Sequence, residues 1–99
     1  MKNPHPLVTT LTRAEEKPDL KQAQNMVGGN VEIIEVPMHK PNGDYDYIQV
    51  LVNEEALLRE GMEYNPVATE LVVAKTNRIV SDKGILGPAV ILSGEARWT

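Results

Sequence analysis

The side chains able to do chemistry are two histidines, fourteen carboxylates and ten cations, and the chain has no cysteine. Without a thiol there is no disulfide, no thiolate nucleophile and no zinc–thiolate site. His39 with Asp44 and Asp46 supplies donor types that suit a divalent ion. They lie at a turn, however, with no second histidine near in sequence, and polar residues at a turn read first as solvated. Glu54-Glu55 and the Glu32/Glu35 pair supply carboxylates, but acid–base hydrolysis needs two of them at a fixed separation in unlike environments. Adjacent glutamates on a helix point in different directions, and they favour a helix N-terminus for simpler reasons. Gly28-Gly29 follows a helical pattern, whereas a phosphate cradle needs its glycines before one. No Ser–His–Asp set, P-loop or zinc motif is present. The residues therefore predict no catalytic group, no metal site and no cofactor.

Binding is the chemistry that remains. Asn53 and Asn65 each precede a predicted helix and read as caps. A helix N-terminus left exposed beside them would face an anion such as a nucleotide phosphate, with Thr69 one turn further on and Arg78 or Lys83 adding charge. Tyr45 and Tyr47 alternate with aspartates. That pattern fits either a protein-binding surface, where Tyr offers area at small entropic cost, or ordinary cross-strand packing. Trp98, in the C-terminal tail, either docks on a neighbouring subunit or frays.

The elements that must position these residues follow from pattern. Leu7–Thr12 is short and β-branched, which predicts a strand, and a charged connection runs from Arg13 to Lys17. Pro18–Val27 predicts a helix, with Pro18 in its first turn, Asp19 at the positive end of its dipole, Leu20, Ala23 and Val27 on one stripe, and Gly28-Gly29 as its stop. Val31–Met38 and Tyr45–Val52 predict a β-hairpin around Pro41-Asn42-Gly43-Asp44. Ile48, Val50 and Val52 share one face and Tyr47, Gln49 and Leu51 the other, which predicts one dry side and one half-covered side. A short helix is predicted over Glu54–Glu60 and a second from Pro66 to about Thr76, with strand as the alternative at Leu71-Val72-Val73. Arg78-Ile79-Val80 is a candidate short strand before a turn at Ser81–Gly84. Ile85–Leu92 is the last strand, with Pro88 either marking an edge or preceding the regular ladder.

Length and composition set the frame. Ninety-nine residues suit one domain, residues 1–99, with 1–6 and 95–99 as extended or flexible tails. The predicted class is α+β: a small mixed or antiparallel sheet of four to five strands with a central hairpin, packed with two to three short helices. The aromatic residues are three Tyr and one Trp, with no Phe, so the core is aliphatic and thin. Such a core predicts homo-oligomerisation. The net charge of −4 and the scattered cations argue against binding to a nucleic-acid backbone and suit a basic partner. No apolar run approaches the ~20 residues of a membrane span, and Met1–Thr12 has no signal-peptide core. With no cysteine, these features agree with a cytoplasmic location.

Four motifs appear in order: Val27-Gly28-Gly29-x-Val31-Glu32, Val52-Asn53-Glu54-Glu55, Asn65-Pro66-x-Ala68-Thr69 and Gly87-Pro88-Ala89-Val90-Ile91. Over roughly Asp19–Leu92 the chain resembles a family of small phage and bacterial proteins catalogued as domain of unknown function 3846. It departs from that family in the N-terminal arm and at the hairpin tip. The resemblance implies no catalytic residues, and it implies a phage or mobile-element origin in a bacterial host cell. The expectation is a non-enzymatic accessory protein acting by stoichiometric binding. It either inhibits a host defence protein or sequesters a small nucleotide-type signal. The alternatives are an assembly module that pairs through exposed strands and, third, a small enzyme.

Overall fold

A computed structural model of the chain describes residues 7–43, 45–58, 61–76 and 84–98; for His39, Tyr45, Leu57 and residues 74–76 it describes the backbone alone. The elements are β1 (Val8–Leu11), α1 (Leu20–Val27), β2 (Val31–His39), β3 (Tyr45–Asn53), α2 (Pro66–Thr76) and β4 (Ala89–Leu92), with 3-10 turns at Ala14–Glu16, Ala56–Leu58 and Gly94–Ala96. The fold is α+β, a four-stranded mixed sheet with two helices. Strand order is β1-β4-β3-β2. β1 runs parallel to β4, while β4–β3 and β3–β2 are antiparallel.

The hairpin pairs Val31 with Asn53 at one end and His39 with Tyr45 at the other. Its turn needs the positive φ of Gly43, +89°, which an L side chain rarely adopts. Within the hairpin β3 is internal and β2 is an outer strand. Pro37, which has no N–H for a ladder, lies on that outer strand. Pro88 precedes β4, so the ladder begins after it, at Ala89. β4 is internal and covered on both faces, which is why it reads as an unbroken apolar run.

Each face of the sheet has its own core. On one, Ile34, Val36, Val50, Val52 and Ala89 pack with Ala68 and Val72 of α2 and with Ile85. On the other, Leu51, Val90 and Leu92 pack with Ala23 and Val27 of α1 and with Ala96, and Leu11, Val31 and Trp98 flank them. The face expected to be half-covered is covered by α1 and the C-terminal segment over β3 and β4, while Ile33 and Glu35 of β2 stay exposed on it. Gln49, the polar residue that suggested solvent, is buried there.

α1 begins later than its sequence pattern suggests. Asp19 is the cap and Pro18 lies before it: the Asp19 carboxylate accepts from Gln22 N at 2.7 Å and Gln22 Oε1 accepts from Asp19 N at 2.9 Å, a reciprocal capping box. Gly28 ends α1 in the left-handed conformation, φ +84°, and donates to Gln24 O. α2 is helical through Leu71-Val72-Val73. The Asn65-Pro66 start and the Ala68/Val72 stripe, buried on the sheet, override the β preference of those three residues. The segment expected as a helix from Glu54 contains a single 3-10 turn, Ala56–Leu58; residues 59 and 60 lie outside the described residues. So do the short strand expected at 78–80, Ser81–Lys83 of the turn, and tail residues 1–6 and 99.

Candidate functional site

Asn65 shows how the candidate ligand residues are used. Its side chain is fully buried. Oδ1 accepts from Ala68 N at 3.1 Å, the expected cap, while Nδ2 donates to Leu7 O at 2.8 Å and to Gly87 O at 3.0 Å. One amide therefore joins the start of α2 to the segments that lead into β1 and β4. Thr69 is brought beside it: its hydroxyl donates to Asn65 O at 2.8 Å and accepts from Ile85 N at 2.8 Å. The α2 N-terminus expected to face an anion thus spends Ala68 N and Thr69 N on Asn65 itself.

Asn53 closes β3 rather than opening a helix. It is buried, accepts from Glu55 N at 2.7 Å and donates to Val27 O at 3.2 Å, an orphan carbonyl at the end of α1. It serves the α1 face of the sheet, whereas Asn65 and Thr69 serve α2 on the other, so the structure does not unite the three around one ligand. Arg78 and Lys83 lie outside the described residues.

Of the interaction candidates, Tyr45 occupies β3 opposite His39, and its side chain lies outside the described set. Tyr47 carries the Arg97 guanidinium 4.3 Å above its ring. Trp98 docks on its own chain. Its indole Nε1 donates to Pro18 O at 2.8 Å, its N–H donates to Gln49 Oε1 at 2.6 Å and its carbonyl accepts from Gln49 Nε2 at 2.6 Å. The Gln49 amide thus pairs with the Trp98 backbone as a strand neighbour would. The tail expected to be extended or flexible is a 3-10 turn followed by a fixed strap.

Two features here escaped the sequence reading. The first is the contact of Asp46 with Arg97. Asp46 Oδ1 accepts from Tyr47 N at 2.9 Å and from Arg97 Nη1 at 2.8 Å, with Lys40 Nζ 4.0 Å from Oδ2, and Arg97 Nη1 also donates to Tyr47 O at 2.9 Å. The Tyr47 N–H and then the Arg97 and Lys40 cations hold the Asp46 carboxyl below the usual carboxylate range, against an opposing effect of burial. Glu16 is lowered in the same sense by the N–H groups of Thr12 and Arg13. A folded-state pKa below the unfolded one stabilises the fold above the ordinary carboxylate range, and that contribution is lost as pH falls through the folded value. Acid is therefore expected to loosen the C-terminal strap below about pH 4. Asp46→Asn should flatten the acid limb of a plot of urea midpoint against pH, and an unchanged limb would show that the contact with Arg97 has no such role.

The second is an open groove of about 470 Å³ lined by Leu11, Glu16, Pro18, Gln22, Asn25 and Met26. Its apolar floor, Leu11 and Met26, comes from β1 and α1, which follow one another in the chain, and no local motif announces it. Among the described residues no group of three His, Asp or Glu side chains is placed to hold a metal ion, and no helix is long and apolar enough to cross a membrane. No family model matches the chain, and neither does any curated protein or solved structure.

Proposed function

We propose that the chain is a non-catalytic accessory protein that acts by stoichiometric binding to a protein partner. In the phage setting suggested by its motifs, that partner is a host protein, bound and inhibited in the cytoplasm. The observation that carries this reading is how polar and apolar groups are distributed. Asn53, Asn65 and Thr69 spend their hydrogen bonds on the fold. Leu58, Tyr64 and Val67, around the start of α2, stand 86%, 52% and 57% exposed. Exposed large apolar side chains close together in the chain support a protein contact, and a net charge of −4 favours a basic partner surface.

Native mass spectrometry of the protein purified from its producing cells tests the reading. A complex with a host protein in fixed ratio is the expected result, and Val67→Glu should abolish it without changing the circular dichroism spectrum. Release of a nucleotide on heating would instead establish sequestration. Turnover lost on Glu54→Gln or His39→Ala would make the chain an enzyme.

A further inference from the structure

We propose that the outer edge of β1 and the groove beside α1 form one binding site for an extended segment of another protein, which adds as a fifth strand and sets an apolar side chain into the groove. The inference goes beyond the partner reading and does not need it, because it uses none of Leu58, Tyr64 or Val67.

β1 is an edge strand, paired with β4 on one side. Which of its backbone groups point outward follows from two bonds to the β4 side. Ala89 N donates to Leu7 O at 2.7 Å and Ser93 N donates to Leu11 O at 3.0 Å. Successive residues of a paired strand alternate between its two sides. Leu7, Thr9 and Leu11 therefore serve β4, and Val8 and Thr10 direct their N–H and C=O groups away from the sheet. Among the described residues no strand lies on that side, and Thr10 is exposed. The outward groups of Val8 and Thr10 repeat at about 6.6 Å, the two-residue rise of an extended chain.

The groove opens on the same strand. Leu11 pairs with Leu92, a member of the α1-side core, so its side chain and that of Thr9 project on the α1 face. Gln22, Asn25 and Met26 lie three and four residues apart on one side of α1 and line the groove with Leu11, Glu16 and Pro18. A strand added at Val8 and Thr10 would lie about 4.8 Å beyond β1. Every second side chain on it points to the α1 face, where Leu11, Pro18 and Met26 supply apolar contact. Edge and groove together specify an extended peptide, whose backbone bonds to the edge while alternate side chains are read in the groove. A small apolar molecule would use the groove alone and leave the edge to water.

Charge narrows the chemistry of the segment. Glu16 Oε1 accepts from Thr12 N at 3.2 Å and from Arg13 N at 3.1 Å, with Arg13 Nε 3.4 Å away, and these contacts favour the ionised carboxylate. Among the described residues Glu16 Oε2 accepts no hydrogen bond. In a chain of net charge −4, that carboxylate on the groove suits a Lys or Arg beside the apolar side chain on the α1 face of the segment.

The probe is a fluorescein-labelled octapeptide, Thr-Leu-Thr-Lys-Val-Leu-Thr-Lys, which carries Leu and Lys on one face when extended. Fluorescence polarisation should show saturable binding to the native protein. An added strand turns only one alternate set of its N–H groups towards β1. Of two peptides N-methylated at the odd or at the even positions, one should therefore bind roughly tenfold more weakly and the other nearly as the parent does. Thr10→Pro removes an outward N–H, which an edge strand tolerates. It should weaken binding by a similar factor with an unchanged circular dichroism spectrum, and exchanging Lys for Glu in the peptide should weaken it too. In hydrogen exchange followed by NMR, the peptide should slow the Val8 and Thr10 amides and leave those of Thr9 and Leu11 as they were. No saturable binding, equal affinity of the two N-methylated forms, or protection confined to α1 would overturn the proposal.

Discussion

Replacing Asn65 with alanine is expected to cost about 3–5 kcal/mol of unfolding free energy. That figure sums about 1 kcal/mol for a lost cap, about 1–3 kcal/mol for the buried Gly87 carbonyl deprived of this donor, and about 1 kcal/mol for the hydrogen bond to Leu7 O, which keeps Ala89 N as a donor. The side chain is fully buried, and it serves the α2 start and two separate segments of chain, so water has no ready access to replace it. A domain of this size has total stability near the low end of 5–15 kcal/mol, so the variant should be largely unfolded or close to its midpoint at room temperature. Asn65→Asp separates the two roles. It keeps the oxygen that caps Ala68 but presents a second oxygen to Leu7 O and Gly87 O where a donor is required. It should be no more stable than the alanine variant at neutral pH. It should recover partly on acidification, because a buried aspartate between carbonyls has a raised pKa and its protonated form can donate. Urea denaturation followed by circular dichroism at two pH values reads both effects. An Asn65→Ala variant within about 1 kcal/mol of the wild type would mean that the amide does not join these segments.

Asn65 also marks how far the sequence could be read. The cap was legible because capping is local: an Asn before a Pro and an apolar stripe suffices. The partners of its Nδ2 were not, because Leu7 and Gly87 lie far away in the chain and their carbonyls carry no side-chain signature. The hairpin was legible for the same local reason, an Asn-Gly turn in which Gly43 takes the positive φ. The α2 segment at Leu71–Val73 was ambiguous, because propensity and cap disagreed there and packing on Ile34 and Val36 decided between them. At the candidate site the residue types were right and their use was not. Asn53, Asn65 and Thr69 are tied into the fold instead of facing a ligand. The groove at Leu11 and Met26, and the contact between Asp46 and Arg97, depend on which elements pack together, and periodicity does not encode that.

The C-terminal strap is where composition misled most, and its removal is the second large effect expected. A short polar tail after the last strand reads as frayed, yet Gln49 and Trp98 make it part of the sheet. The reason is geometric. β4 pairs with β3 only over Gln49–Leu51, so among the described residues no strand lies beside the start of β3 on that side. The chain turns at Gly94–Ala96 and returns along it, with Trp98 bonded to the Gln49 side chain and Arg97 to Tyr47 O. The Trp98 indole then lies against the α1-side core and holds Pro18, the residue before the α1 cap, through its carbonyl. Trp98→Ala removes that contact and leaves the buried Gln49 amide without its packing, so a loss of about 2–4 kcal/mol is expected, below the range for a fully buried tryptophan because this one is half-buried. Trp98→Phe keeps most of the ring contact and gives up one hydrogen bond to the Pro18 carbonyl, which should cost about 1 kcal/mol. Thermal melts followed by far-ultraviolet circular dichroism compare the two, since Trp98 is the chain's one tryptophan and its fluorescence vanishes with it. If both variants melted with the wild type, the strap would not be docked in solution. If Phe cost as much as Ala, the hydrogen bond to Pro18, and not the apolar contact, would be what fastens the end of the chain to α1.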